Sequence, residues 1–153
     1  MKNPICTSAI LMTLLFIGGA CSKKNSNDSN SRMTLMTQAI WRYDTSGIDL
    51  NKDGKIDVAD TLQSCFKDNT YQFKKDSTVI VDQGPTKCNS TDPQTATYSW
   101  SISSGNPAIL KSDADPILAG GLTVLTLTSS QLTVYKDTTI QGFPLWFILS
   151  LKH

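Results

Sequence analysis

Residues 70–82, TYQFKKDSTVIVD, decide the fold of this chain, because they read as two short strands joined by a tight turn. Tyr71 and Phe73 alternate with polar residues in the first half, and the second half is a run of β-branched residues. Both patterns are typical of a pleated surface that is at least half buried. The polar residues 75–77 between them favour a hairpin turn. A hairpin here predicts an antiparallel sheet.

The same pattern recurs on both sides of this hairpin, with β-branched and aromatic residues between turn formers. The predicted strands are residues 39–43, 70–74, 78–82, 97–103, 108–111, 122–128, 132–136 and 145–152. A turn or two of helix is expected within residues 57–65. Short strands with mostly tight connections predict an all-β fold: a small antiparallel up-and-down β-barrel of about eight strands, with a short helix.

Alternation places several aromatic side chains on one face of their strands, which a barrel would turn inward. They are Trp41, Tyr71, Phe73, Tyr98 and Trp100. In the last predicted strand, Phe147, Leu149 and Leu151 also share one face. Two interpretations stay open. The aromatic residues line a pocket for a small apolar or amphipathic ligand, or they fill the lumen as plain core, which is the commoner outcome for a single aromatic residue.

Residues 49–60, DLNKDGKIDVAD, are laid out as a calcium-binding loop. The predicted ligands are the side chains of Asp49, Asn51, Asp53, Asp57 and Asp60 and the backbone carbonyl of Lys55. Gly54 stands where such a loop turns sharply, and Ile56 stands where it places an apolar anchor. Because Ca²⁺ takes about six to eight oxygen ligands, this spacing predicts a structural Ca²⁺ ion.

The calcium loop resembles those of EF-hands and dockerins, with two differences from an EF-hand. Asp60 stands where an EF-hand has Glu, and no long helix is predicted before the loop. The single copy does not carry dockerin function, because dockerins have two. The alternative is a solvated turn rich in Asp and Asn that binds nothing. Calcium is favoured, because four crowded Asp side chains would gain little without a cation.

Residues 1–20 read as the signal peptide of a lipoprotein. Lys2 supplies a positive charge, and residues 9–17 form an apolar stretch too short to span a bilayer permanently. Cys21 follows three small residues, which resembles the lipobox of bacterial lipoproteins, although Gly18 replaces the usual aliphatic residue. We expect Cys21 to carry lipid and to tether the chain to a membrane, with ordinary secretion as the alternative.

The remaining chain divides into a tether and one domain. Residues 21–33 are predicted to be flexible, because residues 22–31 contain no apolar side chain. Residues 34–153 are predicted to form the barrel domain. Cys6 belongs to the signal peptide and Cys21 takes lipid, so Cys65 and Cys88 are expected to form a disulfide in an oxidising compartment.

The inventory of reactive side chains argues against an enzyme. His153 is the only histidine, so no Ser-His or Cys-His nucleophile system is available within the fold. The formal net charge is +1 and no basic face is evident, which argues against nucleic acid as a partner. We therefore predict a non-enzyme.

Residues 65–102 carry the resemblance to a family. Matching residues, in order, are Cys65, Asn69, Phe73, Cys88, Asp92, Pro93, Gln94 and Trp100, preceded by a Trp in the first strand. With them, the chain resembles the lipocalin-like lipoproteins of bacteroidete envelopes over nearly all of its mature length. The resemblance implies a lipocalin-like barrel that is lipid-anchored to the outer membrane. The basic rather than acidic residues after Cys21 favour the periplasmic side.

Two functions follow as expectations. The first is a tethered envelope lipoprotein whose barrel binds a small apolar or amphipathic ligand. The alternative is a packed interaction module, or accessory subunit, of an envelope protein complex. An enzyme that uses Asp residues at the barrel mouth is disfavoured by the inventory above.

Overall fold

The computed structural model of the chain describes residues 26–59, 62–113 and 117–153, with side chains from residue 30 onward. The elements are, in chain order, α1 (Ser26–Thr37), β1 (Trp41–Asp49), β2 (Val58–Ala59), α2 (Ser64–Lys67), β3 (Thr70–Phe73), β4 (Thr78–Asp82), β5 (Thr95–Ile102), β6 (Ile109–Ser112), β7 (Leu122–Leu127), β8 (Gln131–Ile140) and β9 (Phe143–Lys152). The signal peptide, Cys21 and Asp60 lie outside the described residues, so what we expect of them stays a prediction.

The strands form one antiparallel sheet that closes on itself. From β3 to β9 each strand pairs with the next, and β9 pairs with β1 along most of its length. Trp41 and Arg42 of β1 pair with β3, which completes a ring of eight strands. The short β2 adds to the far end of β1, at Gly47 and Ile48. The predicted all-β, up-and-down antiparallel barrel is confirmed.

Element boundaries differ from the sequence-based ones mainly around β1 and β2. β1 runs on to Asp49 through residues that read as a turn, because β9 supplies a continuous partner and a bulge at Asp44 absorbs the mismatch. The sequence predicts one or two helical turns within residues 57–65. The Val58 backbone instead pairs with Ile48 of β1, and α2 begins only at Ser64.

The inward faces of the strands fill the middle of the barrel. The buried core side chains from the strands are Trp41, Tyr71, Phe73, Val79, Val81, Trp100, Leu110, Leu122, Leu132, Val134, Leu149 and Leu151. Phe147 packs against them, as the alternation in the last strand predicts. Phe73 and Trp100 meet edge to face, with ring centroids 4.9 Å apart. This side-chain layer is the hydrophobic core of the domain.

Helix α1 covers the end of the barrel at which β1 begins, hereafter the closed end. It contacts β3, β5 and β7, which alternate around the ring, so it crosses the opening. Met36 is fully buried in the core, and Met33 packs against it. The Arg32 guanidinium donates to the carbonyl oxygens of Ser103 (3.0 Å) and Gly105 (2.7 Å). The opposite end is called the mouth.

Because α1 begins at Ser26, it takes up most of residues 21–33, the segment that we predicted as a flexible tether. Because the sequence of α1 is polar, its helical structure depends on the contacts that its last turns make with the barrel. Neither described helix is long and apolar enough to cross a membrane.

Candidate functional site

The mouth of the barrel contains a pocket of about 220 Å³. It lies between α2, the inward faces of β4 and β5, and the connection from residue 83 to residue 94. Its lining residues are Phe66, Asn69, Val81, Gln83, Cys88, Asp92, Ala96 and Tyr98. The lining therefore joins an apolar wall from the strands and α2 to a polar rim from the connection.

Residues 83–94, hereafter the disulfide loop, form the roof of the mouth pocket. The sulfur atoms of Cys65 and Cys88 are bonded, with Cα atoms 5.1 Å apart, which agrees with the predicted disulfide. This bond attaches the loop to α2. The Thr86 N–H also donates to an Asp68 carboxylate oxygen at 2.8 Å. The roof is therefore tied down at two adjacent points.

The two ends of the disulfide loop are held together by Gln94. Its side-chain amide donates to Asp82 Oδ1 (2.7 Å) and to the Gly84 carbonyl oxygen (2.8 Å). The Gly84 N–H donates to the same Asp82 oxygen at 2.9 Å. The Gln94 amide, followed by the Gly84 N–H, lowers the pKa of the Asp82 carboxyl below its usual range. The charged form of Asp82 therefore fastens the loop.

Asn69 lies at the floor of the pocket and is only 3% exposed. With its amide nitrogen facing the two carbonyl oxygens, it donates to Cys65 (3.3 Å) and Gln83 (3.2 Å). These bonds join α2 to the end of β4. Asn69 thus positions the walls of the pocket, which is the usual role of a buried amide.

The five aromatic residues that we predicted as ligand-binding fall into two groups. Tyr98 is half-buried and lines the mouth pocket. The other four belong to the core: Trp41, Tyr71, Phe73 and Trp100 are at most 3% exposed. The two indole N–H groups donate to the carbonyl oxygens of Met36 (2.9 Å) and Lys74 (3.0 Å), so these side chains are fully used in packing.

Sequence reasoning assigned only Tyr98 of the eight lining residues to ligand binding and missed the other seven: Phe66, Asn69, Val81, Gln83, Cys88, Asp92 and Ala96. The alternation of Ala96 with Tyr98 could have indicated that they share an inward face. Nothing in the sequence shows that α2 and the disulfide loop fold over that face, because both are held there by long-range contacts.

The predicted calcium loop folds around the Asp49 carboxylate, which is fully buried. Its Oδ1 accepts the N–H groups of Asn51 (3.1 Å), Lys52 (2.6 Å) and Asp53 (3.3 Å). Its Oδ2 accepts the Gly54 N–H at 2.7 Å, and Gly54 has the positive φ of 86° that the tight turn requires.

Further side-chain oxygens shape the same loop. Asn51 Oδ1 accepts the Asp53 N–H (3.0 Å), and Asp53 Oδ1 accepts the Lys55 N–H (2.9 Å). Asp57 Oδ2 accepts the Leu50 N–H at 2.8 Å, which joins the two ends of the loop. The oxygen side chains at residues 49, 51, 53 and 57 thus hold the loop through hydrogen bonds to its own backbone.

The calcium loop packs on the outer face of the barrel beside β9. Gly47 allows this approach, because a Cβ there would collide with Ile56 Cγ2 and the Val58 carbonyl oxygen. The Lys52 ammonium pairs with Asp137 at 3.1 Å and lies 5.9 Å from the centre of the Trp146 ring. Ile56 therefore anchors the loop against the sheet.

No cluster of three or more His, Cys, Asp or Glu side chains suited to a metal ion occurs in the described part of the chain. Two of the predicted calcium ligands do not belong to these four side-chain types: they are the Asn51 amide oxygen and the Lys55 backbone carbonyl oxygen. A third, Asp60, lies outside that part. The calcium prediction is therefore carried forward as a proposal.

Comparisons of the chain with models of protein families, with curated proteins and with solved structures found no match. The resemblance to lipocalin-like envelope lipoproteins therefore stays a prediction. Its motif residues Cys65, Asn69, Cys88, Asp92 and Gln94 all lie at the mouth pocket or in its roof.

Proposed function

We propose that this chain is a lipid-anchored envelope protein whose barrel mouth binds a small amphipathic ligand, without catalysing a reaction. The observation that carries the proposal is the mouth pocket, with an apolar wall, a polar rim and a covalently fastened roof. Concave sites with mostly apolar linings and a few fixed polar groups are the usual form of small-molecule sites.

The lining restricts the ligand. Phe66, Val81 and Tyr98 offer apolar and aromatic surface, whereas Gln83 and Asp92 bring side-chain oxygens to the rim. A volume of about 220 Å³ is below the roughly 300–1,000 Å³ of pockets for drug-sized molecules. The ligand that fits is therefore small, with an apolar body and a polar group at the rim.

The position of the closed end supports anchoring through Cys21. Four residues lie between Cys21 and Ser26, the first residue of α1, so five Cα–Cα steps separate the two. At about 3.6 Å per extended residue they reach no further than about 18 Å. A lipid on Cys21 would therefore hold the closed end near the membrane. In this arrangement the mouth faces away from the membrane. If the chain occupies the inner leaflet of the outer membrane, the mouth opens into the periplasm.

We propose that the calcium loop binds a structural Ca²⁺ ion through Asp49, Asn51, Asp53, Asp57, Asp60 and the Lys55 carbonyl. The supporting observation is that the Asp49 carboxylate is fully buried and accepts hydrogen bonds from backbone N–H groups. Among the described residues, no Lys or Arg side chain forms an ion pair with it. Fully buried carboxylates are rare unless they are paired or bind a metal. Bound Ca²⁺ would supply charge neutralisation and rigidity to the loop.

Thermal unfolding tests the calcium proposal. Calcium at a hundredfold excess over Kd is expected to stabilise the folded chain by about 2.7 kcal/mol. Asp53→Ala should remove this gain, because Asp53 is an exposed loop residue that the barrel does not need. Asp76→Ala, in the turn before β4, is the control and should keep it. An equal calcium response in both variants would contradict the assignment.

Native mass spectrometry of gently purified protein tests the ligand proposal. Ala96→Trp should fill the pocket and abolish a co-purifying organic mass. Thr97→Trp is the matched control, because the neighbouring Thr97 is exposed on the outer face. The control should retain the mass. A mass that persists in Ala96→Trp would place the ligand elsewhere, and no organic mass in the unaltered chain would contradict the proposal.

A second function, the interaction module, is favoured by a different observation. The core aromatic residues fill the middle of the barrel, while apolar side chains stand exposed beside the mouth. This surface is independent of the mouth pocket.

A further inference from the structure

The mouth pocket has an acidic lining. Among its described lining residues, Asp92 is the only one that carries a charge at neutral pH. Lys87 does not line the pocket, because its ammonium group donates to the backbone carbonyl oxygen of Asp92 at 2.8 Å. No described Lys or Arg side chain forms an ion pair with the Asp92 carboxylate. The described lining therefore carries one net negative charge.

A tight turn in the roof holds the Asp92 carboxylate in place. The Asn89 side-chain amide donates to Asp92 Oδ1 at 3.2 Å, and the Asp92 N–H donates to the Asn89 carbonyl oxygen at 3.1 Å. Asn89 is itself fixed, since its Oδ1 accepts the hydroxyl (2.8 Å) and the N–H (3.2 Å) of Thr91. An ionised carboxylate can accept about four hydrogen bonds. Asp92 is therefore a positioned acceptor with capacity left for a ligand.

The two side-chain amides of the lining use their N–H groups within the protein. Gln83 Nε2 donates to the Pro93 carbonyl oxygen at 3.0 Å, which leaves Gln83 Oε1 as the acceptor for a ligand. The Asn69 amide donates to the carbonyl oxygens of Cys65 and Gln83. The Tyr98 hydroxyl can accept as well as donate. The lining side chains thus offer a ligand mainly hydrogen-bond acceptors.

We propose that the ligand of the mouth pocket is a small organic ammonium ion, a protonated primary amine on an apolar body. This assignment rests on the ligand binding proposed above. An ammonium group has three donors and no acceptor, which matches a rim of acceptors. It pairs with Asp92 and donates to Gln83 Oε1, while its apolar body packs against Val81. The aromatic rings of Phe66 and Tyr98 line the same pocket, and their faces also attract a cation.

Ligands of other charge fit this lining less well. A carboxylate or phosphate group would be repelled by Asp92, and no described Lys or Arg lines the pocket to offset the repulsion. A neutral alcohol would leave the charge of Asp92 unpaired while it excludes water from it. An ammonium group avoids both costs, because charge-assisted hydrogen bonds are roughly twice as strong as neutral ones.

Isothermal titration calorimetry of the full chain tests the proposal with three probes of nearly equal size. Phenethylamine is the cation, 2-phenylethanol its neutral counterpart and phenylacetate the anion. We expect phenethylamine to bind roughly ten- to hundredfold more tightly than 2-phenylethanol, which is the range that a hydrogen bond to a charged group supplies. Phenylacetate should bind more weakly than both. Added sodium chloride should weaken the binding of phenethylamine and leave that of 2-phenylethanol unchanged.

Two matched variants locate the effect at the carboxylate. Asp92→Asn keeps the shape of the side chain and an oxygen for Asn89, but it removes the charge. It should abolish the preference for phenethylamine over 2-phenylethanol, while its retained affinity for the alcohol shows that the pocket is folded. Asp76→Asn makes the same change of charge in the turn between β3 and β4, outside the pocket, and should retain the full preference.

The results that would overturn the proposal are separate from those that would overturn ligand binding. Equal or tighter binding of 2-phenylethanol or phenylacetate would contradict an ammonium ligand, and so would a preference for phenethylamine that persists in Asp92→Asn. If Ala96→Trp then abolishes binding of the favoured probe, ligand binding at the mouth still holds. If none of the three probes binds, the ammonium assignment fails together with the ligand binding on which it rests.

Discussion

Loss of the Cys65–Cys88 disulfide should destabilise the barrel by an amount that its loop length sets. The bond spans a sequence separation of 23 residues. In the chain-entropy model, a closed loop of this length restricts the unfolded chain by about 3.4 kcal/mol at 25 °C. A urea slope of about 1–3 kcal/mol per molar converts this into a midpoint lowered by about 1–3 M. The double variant Cys65→Ala/Cys88→Ala is the perturbation.

Urea unfolding followed by tryptophan fluorescence measures the effect. The unaltered chain treated with dithiothreitol should match the double variant, and the reductant should not change the double variant further. The urea slope should rise in both, because an unfolded chain without the cross-link exposes more surface. A midpoint that is unchanged in the double variant would refute the reasoning, since the unfolded chain would then gain no freedom from losing the bond.

Three further perturbations test the packing and electrostatics. Gly47→Ala should cost about 1–3 kcal/mol of unfolding free energy in urea, because its Cβ meets Ile56; an unaltered midpoint would mean that the loop is not packed there. Trp41→Phe should lower the unfolding free energy by about 1–3 kcal/mol and speed amide hydrogen exchange in α1, because the buried Met36 carbonyl oxygen loses its donor. An unchanged exchange rate would mean that α1 does not depend on this hydrogen bond. The lowered pKa of Asp82 means that its stabilisation is complete above about pH 4 and is lost as pH falls through the lower folded-state value. Asp82→Asn should therefore lose less stability than the unaltered chain between neutral and acid pH, whereas equal losses would contradict this role.

The barrel could be read from the sequence because its strands carry local signals. Alternation identified Tyr71 and Phe73 in β3, and Leu149 and Leu151 in β9, as inward-facing residues. The end of β1 could not be read in this way, since its pairing with β9 overrides a polar sequence. Helix α1 was missed for a related reason: it is held by the burial of Met36 rather than by its own propensity.

The candidate site was only partly predictable. The sequence placed Tyr98 and Trp100 on one inward face, but their depth in the barrel depends on the register of β5 with its neighbours. That register buries Trp100 in the core and leaves Tyr98 at the mouth. The cysteines indicated a covalent link, whereas the roof that this link holds over the pocket follows from the tertiary fold.

A crystal structure of the protein, purified gently and without added ligand, tests the central claim most directly. We predict electron density for a small organic molecule in the mouth pocket, with its apolar part against Phe66, Val81 and Tyr98 and a polar group towards Gln83 or Asp92. A pocket that is closed by its own side chains or filled only by water would contradict ligand binding at the mouth.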